Sequence, residues 1–210
     1  MKELDLLKKD WQKNTDSFEQ VSENEIYKMI HKKSSSIVKW ILIISILEVL
    51  LWTALNVCFN NDAYFTKMNH DEIILYLNIF SYFSYGVMLV FIYFFYKNYV
   101  RISLTVSTKQ LMKDILKTRK TVQYYVYFNL TMIVLSLIVA FIIAFAYDPD
   151  TIALTNKITT NGKALAITTV GILMTFIVII GAFWLFYRVL YGILLRRLYA
   201  NYKELKKIDL

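Results

Sequence analysis

A chemical reading of this chain turns on Glu48. It is the one carboxylate or cation inside four long apolar runs, and it stands near the middle of the first, 41–59. A charged acid at bilayer depth costs about 2.5–3.5 kcal/mol on insertion scales, so it must be protonated, paired or beside water. The nearest base, Lys39, is nine residues away, about 13 Å along a helix. The other groups in reach are neutral: Asn78, Tyr82, Asn129, Ser136, Thr168 and Thr175. Two readings stand for an intramembrane polar site of Glu48, Asn78 and Asn129. One is a proton or cation site. The other is a protonated Glu48 making an interhelical hydrogen bond, worth about 0.6–2 kcal/mol.

Little else in the sequence could do chemistry. One cysteine, Cys58, excludes an intrachain disulfide and a cysteine metal cage. There is no HExxH, GxSxG or P-loop pattern and no pair of carboxylates within an apolar run. The chain reads as non-enzymatic, with no catalytic residue, no cofactor and no metal.

The elements that must position Glu48 are the runs 41–59, 73–96, 124–147 and 165–187. Each approaches or exceeds the roughly 20 apolar residues that cross a bilayer. The runs do not alternate with period two, so helices and not barrel strands are predicted. With 57% hydrophobic residues, a 210-residue soluble fold has too little polar chain to cover four such helices. Pro149 falls just past the third run, where a helix can end. Stripes of small residues, Ser136, Ala140 and Ala144 and then Thr168, Gly171 and Thr175, read as close-packing faces.

Charge then orients the runs. Of the 24 Lys and Arg, 21 lie in 1–40, 97–123 and 188–210, and only three in 60–72 and 148–164. Basic segments stay in the cytoplasm, so both ends are inside. His31 and His70 then lie on opposite sides and cannot share a metal. Trp40, Tyr96, Tyr99, Tyr124, Tyr125, Trp184 and Tyr187 fall at the cytoplasmic headgroup level. The net charge of +8 is thereby a topology signal with anionic lipid headgroups as its nearest partner. No basic fold with stacking aromatics stands outside the membrane, so no direct nucleic-acid role is expected.

The cytoplasmic pieces carry helical patterns of their own. Leu4, Leu7 and Trp11 recur at helical spacing among lysines. Ser22 and Glu25 form a capping box ahead of Ile26, Met29 and Ile30. Ser107 and Gln110 form a second, ahead of a cationic amphipathic helix of about three turns. There Leu111, Met112, Ile115 and Leu116 oppose Lys109, Lys113, Lys117 and Lys120. A third stripe, Tyr191, Leu194, Leu195, Leu198, Tyr202 and Leu205, prolongs the last run. Such faces lie on a lipid surface or dock in a protein groove. Leu4, Leu7, Trp11, Lys109, Lys113 and Lys117 are the candidate contacts for either.

The stretches DLLKKDWQK (5–13), ENEIYKMIHKK (23–33) and KKSSSIVKW (32–40) resemble a family of small, uncharacterised multi-pass membrane proteins of flavobacterial type. Members have carried a β-carotene monooxygenase label. Carotenoid cleavage oxygenases hold iron with a set of histidines on a β-propeller, whereas this chain has two His and four helical runs. The family also resembles membrane partners of extracytoplasmic-function sigma factors, which implies that 1–33 is the partner-binding part. The His and Cys ligands of the zinc-type anti-sigma fold are missing.

The sequence therefore predicts an all-α integral protein of the bacterial inner membrane, with four transmembrane helices in two hairpins plus cytoplasmic amphipathic helices. Segment 1–40 is the cytoplasmic N-terminal part, 41–187 the membrane domain and 188–210 a basic helical extension. The first functional reading is a regulator or scaffold that holds a cytoplasmic protein through 1–33. The second is a small transporter or channel-like subunit, oligomeric in its working form, built around Glu48. Single-cysteine labelling in a Cys58→Ser background checks the sidedness. An impermeant reagent should reach positions 65 and 157 from outside and miss 110 and 210. Outside labelling at 110 or 210 overturns the topology.

Overall fold

The computed structural model describes residues 22–58, 71–160 and 162–208. Five helices follow one another: α1 Glu23–Cys58, α2 Asp71–Leu104, α3 Thr108–Tyr147, α4 Pro149–Thr159 and α5 Gly162–Ile208. All but α4 are long and apolar enough to cross a membrane. Leu4, Leu7 and Trp11 lie outside the described residues.

The four long helices outreach the apolar runs they contain. The 47 residues of α5 rise about 70 Å, against a hydrocarbon core of about 30 Å. The boundaries at 40/41 and 187/188 fall inside unbroken helix, because no proline interrupts 22–58 or 162–208. The basic segments are thus the continuations of the same rods. The helix begun by Ser22 does not lie on a surface. Its Ile30 is buried and Ile26 packs against the core, while Met29 stays exposed.

What the rods bury follows a four-three repeat. On α5 the inward positions are Tyr187, Tyr191, Leu194, Leu198, Asn201 and Leu205. On α3 they are Leu111, Ile115, Thr118, Val122, Tyr125, Asn129 and Met132. On α1, Ile30, Ser34, the pair Ile37 and Val38, Ile41, Ser45 and Glu48 follow the pattern with one extra step of four. Alternating steps of four and three keep one seam facing the partners, which is knobs-into-holes packing. α1 packs on α2 and α5, and α3 on the same two. Tyr27 and His31 of α1 meet residues 105 and 102, Ser34 meets Asn201, and Glu48 meets Tyr187 and Tyr191.

The packed core sits at the basic end. It runs from Leu205, Ile30 and Leu111 up to Phe95, Tyr125 and Tyr187. In the most apolar window of α1, α2, α3 and α5, only 17%, 6%, 6% and 0% of residues are buried. Leu47, Leu50, Val57, Ile167 and Val170 are exposed there, as suits side chains whose solvent is hydrocarbon. Gly171 of the small-residue stripe meets nothing within 4 Å of an added Cβ, and Thr175 is exposed. That stripe is therefore not a close-packing face within the described chain.

Local capping fixes the ends. Ser22 N–H donates to Glu25 Oε2 at 2.9 Å, and Glu25 N–H donates to Ser22 Oγ at 3.3 Å, the reciprocal pair of a capping box. The bond from the Ser22 backbone holds the Glu25 carboxyl below its ordinary range. The second box does not form. Ser107 is the N-cap of α3 without a side-chain bond, and the Gln110 side chain, which would close the reciprocal half of the box, turns instead to Asp114, at 3.2 Å from Oδ1. Asp114 is buried and also accepts from Thr105 Oγ1 at 3.1 Å, with Arg101 at 3.7 Å. The last carbonyls of α2 are met from α1, by Tyr27 Oη at 3.0 Å from Thr105 O and by His31 Nε2 at 2.7 Å from Ile102 O. Beyond the third run, the expected loop is mostly α4. Asp148 accepts from Thr151 N–H and Pro149 takes the first turn, so one residue ends α3 and caps α4.

If the basic end carries the folding energy, truncation there should cost far more than in the apolar half. Leu198→Ala, fully buried, should lose about 2–5 kcal/mol. Ile167→Ala, exposed, should stay within about 0.5 kcal/mol. Unfolding in mixed micelles with rising SDS fraction measures both.

Candidate functional site

Glu48 is buried where α1, α3 and α5 meet. Tyr125 Oη donates to its Oε2 at 2.9 Å and Tyr191 Oη to the same oxygen at 3.0 Å. Tyr187 donates to Oε1. Three hydroxyl donors thus converge on two carboxylate oxygens, and no Lys or Arg stands at ion-pair distance among the described residues. The inward positions of the repeat supply all four groups: Tyr187 and Tyr191 are one turn apart on α5, and Tyr125 belongs to the α3 seam.

Ring packing aims the hydroxyls. Tyr125 meets Phe95 and Phe91 edge-on at 5.3 Å and 5.4 Å. It also meets Tyr191 at 5.7 Å, and Tyr187 stacks on Tyr191 at 6.1 Å. Such contacts leave a buried ring few alternatives, so the donors are pre-aimed. Asn129, buried, gives its Nδ2 to the Tyr125 carbonyl at 2.9 Å.

The predicted site residues divide. Glu48 turns inward, and Asn129 lies one turn beyond its partner Tyr125 but bonds backbone rather than the carboxylate. Asn78 is exposed and lines a cavity of about 630 Å³ together with Asn129 and Tyr187. Tyr82, at 73% exposure, and Thr175 are turned away from the seam. Lys109, Lys113 and Lys117 are exposed, but Leu111 and Ile115 between them are fully buried. Two of the four apolar residues of that face therefore pack inside the bundle, while Leu116 stays exposed.

The real partners of Glu48 include two aromatics that the sequence placed at the headgroups. Tyr125 and Tyr187 are buried, whereas Trp40, Tyr96, Tyr124 and Trp184 are exposed. The seam spacing was the signal that separates them. Those partners also correct the depth of Glu48. Tyr125 is the second residue of the third run, Tyr187 closes the fourth, and Tyr191 lies beyond it. Glu48, midway along its own run, is thus level with the basic-end boundary of the third and fourth runs and not with their centres. The reason is that Ile41 and Ser45, at the start of the first run, belong to the packed bundle.

A family model described as a domain of unknown function (DUF8845) matches residues 24–210. The chain belongs to this family. No curated protein and no solved structure matches it. The DUF8845 match begins one residue inside α1 and takes in Glu48 and all three tyrosines.

Chemically, the DUF8845 cluster can hold one carboxylate in a fixed place. Gln at this position would put an NH₂ donor among three O–H donors. Glu48→Gln should therefore lose about 1–3 kcal/mol. Tyr191→Phe should cost less in that background than alone, with a coupling of about 0.6–1.7 kcal/mol in a double-mutant cycle. Zero coupling would mean that the Tyr191 bond contributes nothing.

Proposed function

We propose that this chain is a non-enzymatic, multi-pass protein of the bacterial inner membrane, its spans paired as two hairpins and both ends cytoplasmic. It acts as a regulator or scaffold, holding a cytoplasmic protein through 1–33. The observation that carries this choice is the closed state of Glu48. A transported ion needs a ligand with free valence and a way in, yet the carboxylate oxygens are taken by three tyrosines. The packed basic bundle, by contrast, suits a rigid platform below the membrane. The flavobacterial-type resemblance points to a sigma factor as the partner class.

Transport remains the second reading for one reason: Tyr187, which binds Glu48, also forms part of the cavity wall. Affinity capture of the full chain from native membranes tests the first reading. Deleting 2–20, or Trp11→Ala alone, should lose the same co-purifying protein while the bundle unfolds at an unchanged SDS fraction. An unchanged set of captured proteins removes the regulator reading. Loss of binding to bare anionic vesicles in its place makes 1–33 a lipid anchor. Proton or cation flux in proteoliposomes that Glu48→Gln abolishes would install the transport reading.

A further inference from the structure

Above the Glu48 layer the four long helices part around the cavity of about 630 Å³. Its wall is at odds with its surroundings. Asn56 comes from α1, Asn78, Ser81 and Ser84 from α2, and Asn129 and Ser136 from α3. Among the described residues, none that lines it is Asp, Glu, Lys, Arg or His. The apolar part is aromatic and aliphatic, with Trp52 against Phe183 at 5.8 Å.

The polar groups on this wall have unspent bonding capacity. Elsewhere in the same helices, hydroxyls bond back to their own backbone: Ser45 to Leu42 O, Thr53 to Val49 O, Thr169 to Leu165 O and Thr175 to Gly171 O. Ser81, Ser84 and Ser136 make no such bond among the described residues. Asn129 is 2% exposed. Its Nδ2 is used on Tyr125 O, and its Oδ1 has no hydrogen-bond partner among the described residues. That oxygen is not among the buried, unpartnered atoms of the described residues, so it stays accessible as an acceptor for a bound hydrogen-bonding group.

We propose that this cavity binds a neutral lipid whose head carries hydroxyl and carbonyl groups, such as a monoacylglycerol. Three features set the class. The uncharged wall gives an ionic head no counter-charge, and burying one unpaired is prohibitive. The mixed amide and hydroxyl lining offers donors and acceptors together, which an ester-and-diol head matches. The volume lies within the range of small-molecule sites. It takes a head and the start of an acyl chain, and the exposed apolar faces of the helices let the rest of the chain lie in the bilayer. This inference does not depend on the partner-holding role.

The test uses the full chain in a non-ionic detergent, titrated with monooleoylglycerol and, separately, with oleoyl lysophosphatidate, and read by native mass spectrometry. One saturable monooleoylglycerol adduct per chain is expected, with the anionic lipid about tenfold weaker or more. Ser136→Phe, which fills the cavity from an exposed position, and Asn78→Leu, which removes a bonding group, should each weaken the adduct about tenfold. Both should leave the unfolding transition in place, and Asn129 is left untouched because it bonds α3. No saturable adduct, equal binding of the anionic lipid, or undiminished binding in both variants overturns the proposal.

Discussion

A carboxylate buried between helices must be met by donors, and that demand sets the register of this bundle. Glu48 faces Tyr125 from α3 and Tyr187 and Tyr191 from α5. A slip of one residue moves a helix by 1.5 Å and turns it by about 100°. No hydroxyl would then reach the carboxylate, and an unpaired buried acid would remain. Apolar knobs tolerate repacking far better than this. Polar layers lower in the seam repeat the constraint on a smaller scale: Asn201 to Ser34 at 3.0 Å, and Asn98 to Thr121 at 3.4 Å. Single polar residues at inward positions of a heptad seam are known to fix register at some expense of stability. Asn201 carries that expense openly, because its Oδ1 is buried without a partner.

In the proposed membrane setting the same rods serve two solvents. At the basic end the seam excludes water, so association is driven by hydrophobic burial of Leu198, Leu205, Ile115 and their neighbours. Among the apolar runs, once placed in a bilayer, that force would vanish, since lipid tails are as apolar as leucine. The helices part there, and large side chains turn outward. The Glu48 layer lies at the change-over. Below it the core is continuous, and above it the cavity opens. Hydrogen bonds hold the bundle where burial stops doing so.

The sequence made the four runs, the Ser22 box and the extension of the last helix legible, because each depends on local pattern alone. The seam was harder to read. Its inward positions include Ser34, Thr118, Asn129, Asn201 and Glu48, and a search for apolar stripes passes over polar residues. With the seam unread, Tyr125 and Tyr187 looked like headgroup aromatics, since each stands at the edge of its run. The lysine-rich segment 109–120 looked like a surface helix for a related reason. An amphipathic pattern states that one face is covered but not by what, and here α3 turns that face to its neighbours. Asp114 taking Gln110 away from Ser107 required α2 to be in place, since Arg101 and Thr105 complete the cluster.

The contrast between Glu48 and the cavity separates structure from binding within a few residues. Three of the roughly four acceptor sites of the carboxylate are filled by hydroxyls, so a ligand there would have to compete with donors held by ring packing on both sides. One turn further along α3, Asn129 has one bond made and one oxygen free. Beyond it Ser136 faces the cavity with none. Polar groups whose needs are met inside the chain hold the fold. Those left unmet on a concave wall are the ones that a ligand can satisfy.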